Sequence, residues 1–217
     1  NAAVSLWLDG PLVKEWHVAT PLKKADGTAH PHLTARFYVR AFTGLTAARV
    51  SVIVENNWTF TPSPQNFSYD LSVRVGGKEV ESVTPVTHYH HARWYREYWW
   101  NTAPSVSLRH STSYLIATKS IPNYDQSLTV PSAALTATEN ESNKSVSEQG
   151  YMHIGLALAY MPTTGGRSDI GPIPQWTAQY LLSMDPRAKR AMLSTAQGSG
   201  SWPIHYRDES TGYPIRL

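Results

Sequence analysis

The stretch Leu33-Thr-Ala-Arg-Phe-Tyr-Val-Arg-Ala41, followed beyond the Gly44 turn by Val50-Ser-Val-Ile-Val54, decides the fold. Apolar side chains recur at every second position, Leu33, Ala35, Phe37, Val39 and Ala41, with Thr34, Arg36, Tyr38 and Arg40 between them. Successive side chains of a strand point to opposite faces, so this alternation predicts strands with one buried face and one wet face. Val50, Val52 and Val54 repeat it, and Tyr69, Leu71, Val73 and Val75 form the next apolar row. Gly76-Gly77 ahead of Lys78-Glu79-Val80 is a two-residue hairpin signal, because both glycines accept positive φ. Trp58 to Asn66 carries Pro62 and Pro64 and reads as a loop, since proline cannot serve a central ladder.

Further strands are expected at Ser105 to Arg109, Tyr114 to Lys119 and His153 to Tyr160. Seven or more short strands imply a mainly β, antiparallel β-sandwich, jelly-roll-like in character. Thr136 to Gly150 is polar, with almost no apolar anchor, and reads as a mobile loop. Beyond Gly165-Gly166 the pattern changes. Pro174 to Ser183 reads as a helix with Trp176 and Tyr180 one turn apart, and Asp185-Pro186 opens a second helix that runs to Gln197. The expected organisation is a β-sandwich domain over 1–164 and a short C-terminal helical hairpin within 165–217, the start of a further domain. The chain begins at Asn1 rather than Met and stops soon after a Thr-Gly-Tyr-Pro turn, which reads as a processed product or an excerpt of something longer.

Charged residues make up 16% of the chain, against roughly 25% in ordinary soluble domains. Eight Trp and twelve Tyr supply most of the aromatic content, a composition suited to flat partners such as sugars or other proteins. A net charge of +3 does not imply a nucleic-acid partner, and no apolar window is long enough for membrane insertion. The absence of cysteine excludes disulfides, thiolate metal sites and thiol nucleophiles. The chain has no Gly-x-Ser-x-Gly, no His-Glu-x-x-His and no phosphate loop, and nothing in the spacing of His110, Ser111 and Asp125 supports a triad. No catalytic residue and no cofactor is therefore predicted, apart from the divalent-metal reading that follows.

The densest segment for recognition is Thr87 to Asn101, Thr-His-Tyr-His-His-Ala-Arg-Trp-Tyr-Arg-Glu-Tyr-Trp-Trp-Asn. In a strand His88 and His90 would share a side, so two imidazoles could meet a divalent metal if a carboxylate completed the site. The competing reading packs the histidines into a crowded strand end with their nitrogens hydrogen-bonded. For binding, Arg93, Trp94, Tyr95, Arg96, Tyr98, Trp99 and Trp100 form the expected interface set. Their rings offer apolar faces to sugar or protein, and the two arginines can grip acidic groups. Trp99 and Trp100 point oppositely in a strand, so part of this set belongs to the core.

The blocks His88-Tyr-His-His-Ala-Arg-Trp94, Pro122-Asn-Tyr-Asp125 and Gln175-Trp-Thr-Ala178 leading to Tyr180-Leu-Leu182 resemble segments of large uncharacterised proteins of proteobacteria and of tailed phages and prophages. The Trp202 to Glu209 block is similar to the same group. With the strand region before them these blocks span about two-thirds of the chain. The resemblance implies a structural or attachment module of a virion protein, tail- or fibre-associated, non-catalytic, and partnered by other virion subunits in an oligomer. The helical part also resembles, loosely, the α/α-toroid regions of exported polysaccharide-processing enzymes. That implies the alternative: a secreted carbohydrate-binding module for a bacterial surface glycan.

Overall fold

The structure is a computed structural model that describes residues 2–159 and 167–215 of the 217-residue chain. Contacts divide it into two compact units, Asn1–Ser105 with Gly200–Leu217, and Val106–Ser199. The boundary expected between 164 and 165 falls among residues outside the described ones. The fold is mainly β, with antiparallel sheets and helices towards the C-terminus, as the alternation predicted, and the described strands close no barrel.

The first unit holds seven strands: β1 (Ala3–Asp9), β2 (Val13–Lys23), β3 (Ala29–Phe42), β4 (Ala48–Glu55), β5 (Phe67–Val75), β6 (Lys78–His88) and β7 (Arg93–Trp100). Five form an antiparallel sheet in the order β1-β2-β3-β4-β7, and β5 with β6 forms a separate two-stranded ribbon. Cross-strand register explains the alternation. Trp16 faces Val39, Val39 faces Val50 and Val50 faces Tyr98, while Ala35 faces Val54 and Val54 faces Trp94, so the apolar rows of four strands share one face.

The ribbon reaches the β7 side of that face. Trp94 meets Tyr69 and Tyr98 meets Glu81, and Val52, Val54, Val73, Val86 and Trp94 are buried there. Covering apolar surface at roughly 25 cal/mol per Å² is what holds two such layers together. Towards the other edge the same face opens, and Val4 and Leu6 of β1 are exposed. The Gly76-Gly77 turn is formed as expected, with φ of 60° and 79°.

The second unit is helical: α1 (Thr112–Ala117), α2 (Ser132–Gln149), α3 (Gln175–Ser183) and α4 (Pro186–Gly198). The α3 and α4 expectations hold, with Asp185 capping α4 by accepting from Arg187 N at 2.8 Å and Trp176 and Tyr180 both buried. Four local expectations are corrected. Ser105 to Arg109 forms no strand. Tyr114 to Lys119 lies largely in α1, because the Ser111 hydroxyl accepts from Tyr114 N and starts a helix there. Thr136 to Gly150 is ordered helix rather than loop.

The α2 segment has no Gly or Pro between Ser132 and Gln149, and its Leu135, Ser142 and Ser145 are buried. Leu135 joins Tyr180 and Ala188 in a small core extended by Val130 and Met192. Arg190 pairs with Glu139, and Arg187 donates to Thr136, so α4 supplies the partners that α2 lacks in its own sequence. The strand expected over His153 to Tyr160 is not formed by its described residues, which follow a single 3-10 turn at Gly150–Met152; Tyr160 lies outside them. Among the described residues no helix is long and apolar enough to cross a membrane.

A Cβ built on Gly76 would lie 2.5 Å from Trp100 Cδ1, whereas one on Gly77 meets nothing within 4 Å. Gly77→Ala should therefore cost about 1 kcal/mol, the price of a left-handed backbone. Gly76→Ala should cost more, because the Trp100 ring must also move. Urea unfolding followed by strand circular dichroism checks the order, and equal losses would show that Trp100 does not rest on the turn.

Candidate functional site

The β7 segment divides by alternation into two sets. Trp94, Arg96, Tyr98 and Trp100 belong to the face that meets the ribbon, and Arg93, Tyr95, Glu97 and Trp99 to the opposite face. On the ribbon side Trp94 is fully buried, and its indole Nε1 donates to the Tyr69 hydroxyl at 2.7 Å. That hydroxyl lies 2.8 Å from His88 Nδ1, and His88 Nε2 lies 2.9 Å from the Ala92 carbonyl. The assignment that satisfies every atom has His88 neutral, with Nε2–H donating to Ala92 and Nδ1 accepting from Tyr69. Burial pushes His88 down to about 4 and Tyr69 up to about 12, so both stay uncharged.

This geometry answers the metal reading. Both nitrogens of the fully buried His88 are engaged within the core, leaving none for a metal. His90 lies beyond the end of β6, in a turn where His91 takes a φ of 58°, so the strand alternation that would have paired it with His88 does not apply. Its ring packs tilted against His91 at 3.6 Å, and His91 in turn against Tyr206 at 4.2 Å. No group of three His, Cys, Asp or Glu side chains converges among the described residues.

The opposite sheet face combines charge and rings. Arg40 and His17 both bond Glu15, which is 5% exposed. Burial works to raise the Glu15 carboxyl, but the hydrogen bonds from His17 and Arg40 outweigh it and hold it below the usual range. Tyr95 donates to Glu97 at 2.9 Å and lies 3.0 Å from Ser51, and Arg49 pairs with Glu97 at 3.4 Å. Trp7, extra in a β1 bulge between Leu6 and Leu8, stacks on His17 at 5.1 Å, and His17 on Tyr38 at 4.0 Å. Phe42 and Trp99 stack at 5.8 Å.

Of the predicted binding set, Tyr95, Trp99 and Arg93 thus join this face, while Trp94 and Tyr98 serve the ribbon and Trp100 rests by its turn. Arg96 donates to the Tyr95 carbonyl at 2.9 Å. Sequence reasoning passed over Trp7, Glu15, His17 and Tyr38. Their signal was the same period of two, since Trp16 and Val18 alternate with Glu15, His17 and Ala19 as Phe37 and Val39 do with Tyr38 and Arg40.

Residues after Gly200 return to this unit. Arg207 N donates to Asn57 O at 2.9 Å, Thr59 N to Arg207 O at 3.0 Å and His205 N to His91 O at 2.9 Å, so the Trp202 to Glu209 block lines up beside the loop after β4. Glu209 accepts from Phe60 N at 2.6 Å and from the Thr61 hydroxyl at 2.9 Å. Arg207 reaches past the loop to Glu55. Comparison with protein-family models, curated proteins and solved structures found no match.

The buried neutral His88 makes stability depend on pH. Unfolded, the imidazole takes up a proton below its ordinary 6.5, while the folded one stays neutral down to about 4. The contribution is complete above pH 6.5 and is lost as pH falls towards 4, reaching about 3 kcal/mol. His30, His32 and His91, all lowered mainly by burial, act in the same direction. Urea unfolding between pH 7.5 and 4.5 should fall more steeply for the wild type than for His88→Gln, and parallel curves would sink the assignment.

Proposed function

We propose that the chain is a structural or attachment module of a phage or prophage virion protein and that it assembles with other subunits through the β1 side of its sheet. The observation that carries this reading is the β1 edge. Every residue of the strand is exposed, including Val4, Leu6, Trp7 and Leu8, and among the described residues only its β2 side is paired with another strand. A free edge with apolar side chains invites a further strand, and soluble chains normally blunt such edges with charge or proline. Here Asp9, at the end of the strand, is its sole charge, and it pairs with Lys14. The virion setting rests on the sequence blocks described above, and the interface lies at β1 instead of the β7 aromatics, three of whose five rings serve the ribbon.

One observation favours a second reading, a carbohydrate-binding module of an exported polysaccharide-processing enzyme. The Trp7–His17–Tyr38 stack lies on a sheet face beside charged partners, and Trp7 is 67% exposed, a platform suited to the C–H face of a sugar ring.

Leu6→Lys places a charge on the edge and should leave the circular dichroism unchanged while converting assembled chain to monomer in sedimentation velocity. A wild type that sediments as a monomer at every concentration, or a variant that assembles equally, would refute the assembly reading. Trp7→Ala tests the second reading by loss of polysaccharide retention in affinity electrophoresis.

A further inference from the structure

Glu55 is 2% exposed and both of its carboxylate oxygens are taken. Arg36 Nε donates to Oε2 at 2.7 Å and Arg207 Nη2 to Oε1 at 2.9 Å. Directly across the strand pair from Glu55 stands Arg93, whose guanidinium has no hydrogen-bond or ion-pair partner among the described residues. Two guanidinium groups thus bond one carboxylate while a third is carried by the residue paired with it across the strands, and arginine keeps its proton at any physiological pH. The next carboxylates along the chain are engaged elsewhere: Asp208 accepts from Ser210 in its own turn, and Glu209 holds Phe60 and Thr61. Among the described residues the cluster therefore carries an excess of positive charge.

Arg93 and Arg207 border a pocket of about 250 Å³. Asn57 lines it too, 4% exposed, with its Oδ1 lacking a partner among the described residues. Gly200 helps place the cation: a Cβ there would lie 2.7 Å from Arg93 Cγ, so only a glycine lets the returning chain run against the arginine stem. Tyr206, Ile204 and Ile215 line its remaining sides. Two arginines, a neutral amide, an aromatic ring and isoleucine side chains together match a hydroxylated ring that bears a carboxylate.

We propose that this pocket binds a single uronic-acid residue of an acidic polysaccharide, with the carboxylate between Arg93 and Arg207 and the ring against Ile204 and Ile215. The site shares no residue with the β1 edge or the Trp7 stack, so it stands or falls apart from both readings above. Calorimetric titration of the whole chain with D-glucuronate, D-glucose, inorganic phosphate and N-acetylglycine tests it.

Glucuronate should bind saturably at one site, at least about tenfold more tightly than the other three probes. Arg93→Gln should weaken it by about tenfold or more. Ile204→Glu, at a position 67% exposed and so tolerant of a charge, should weaken it similarly by bringing a competing carboxylate to the cations. Absent glucuronate binding, or equal binding by folded Arg93→Gln and Ile204→Glu, would overturn the proposal. So would tighter binding of glucose, or of phosphate or N-acetylglycine, which would make the pocket a general anion or peptide-carboxylate site.

Discussion

The hydrogen-bond chain from the Trp94 indole through the Tyr69 hydroxyl to His88 and the Ala92 carbonyl is the constraint on which the β-rich unit depends. It joins the ribbon to the last strand of the sheet around the fully buried Trp94 and His88, where each polar atom must find a partner or cost its full desolvation. Because the chain is satisfied only with the ribbon seated on the β7 side, it fixes which half of the sheet is covered. Trp94, Tyr98 and Trp100 turn to the ribbon, and the β1 side of the same apolar face is left without one.

The opposite face follows a different rule. Glu15 and Glu55 are carboxylates held nearly out of water, and each is tolerated because two basic groups bond it, His17 with Arg40 and Arg36 with Arg207. Burying ion pairs gains little net stability, since desolvation consumes most of the attraction. Their effect here is positional. The Glu15 pairs orient the His17 ring between Trp7 and Tyr38, and the Glu55 pairs bring the returning C-terminal segment beside β4 while leaving Arg93 without a carboxylate among the described residues.

The helical unit shows why part of the chain was misread. Thr136 to Gly150 has few large apolar residues, so no amphipathic stripe announces a helix. Its buried positions are small, Ser142 and Ser145, and its polar positions meet Arg187 and Arg190 from another helix. Such partners are separated by some fifty residues, and no local window contains them. Tyr114 to Lys119 was ambiguous for a related reason: a short apolar run suits strand or helix, and a single serine hydroxyl at Ser111 settled it.

What the sequence by itself determined is the local periodicity: the alternating strands from Leu33 to Val75, the glycine turn at Gly76-Gly77 and the capped helix after Asp185. These follow from backbone geometry, and a residue's neighbours in the chain are enough to specify them. Only the tertiary structure decided that His88 is a core imidazole, that three of the five β7 rings face the ribbon and that Arg207 reaches Glu55. Each of these rests on partners far apart in the chain, and an imidazole, an indole or a guanidinium takes its role from the atoms that fold beside it.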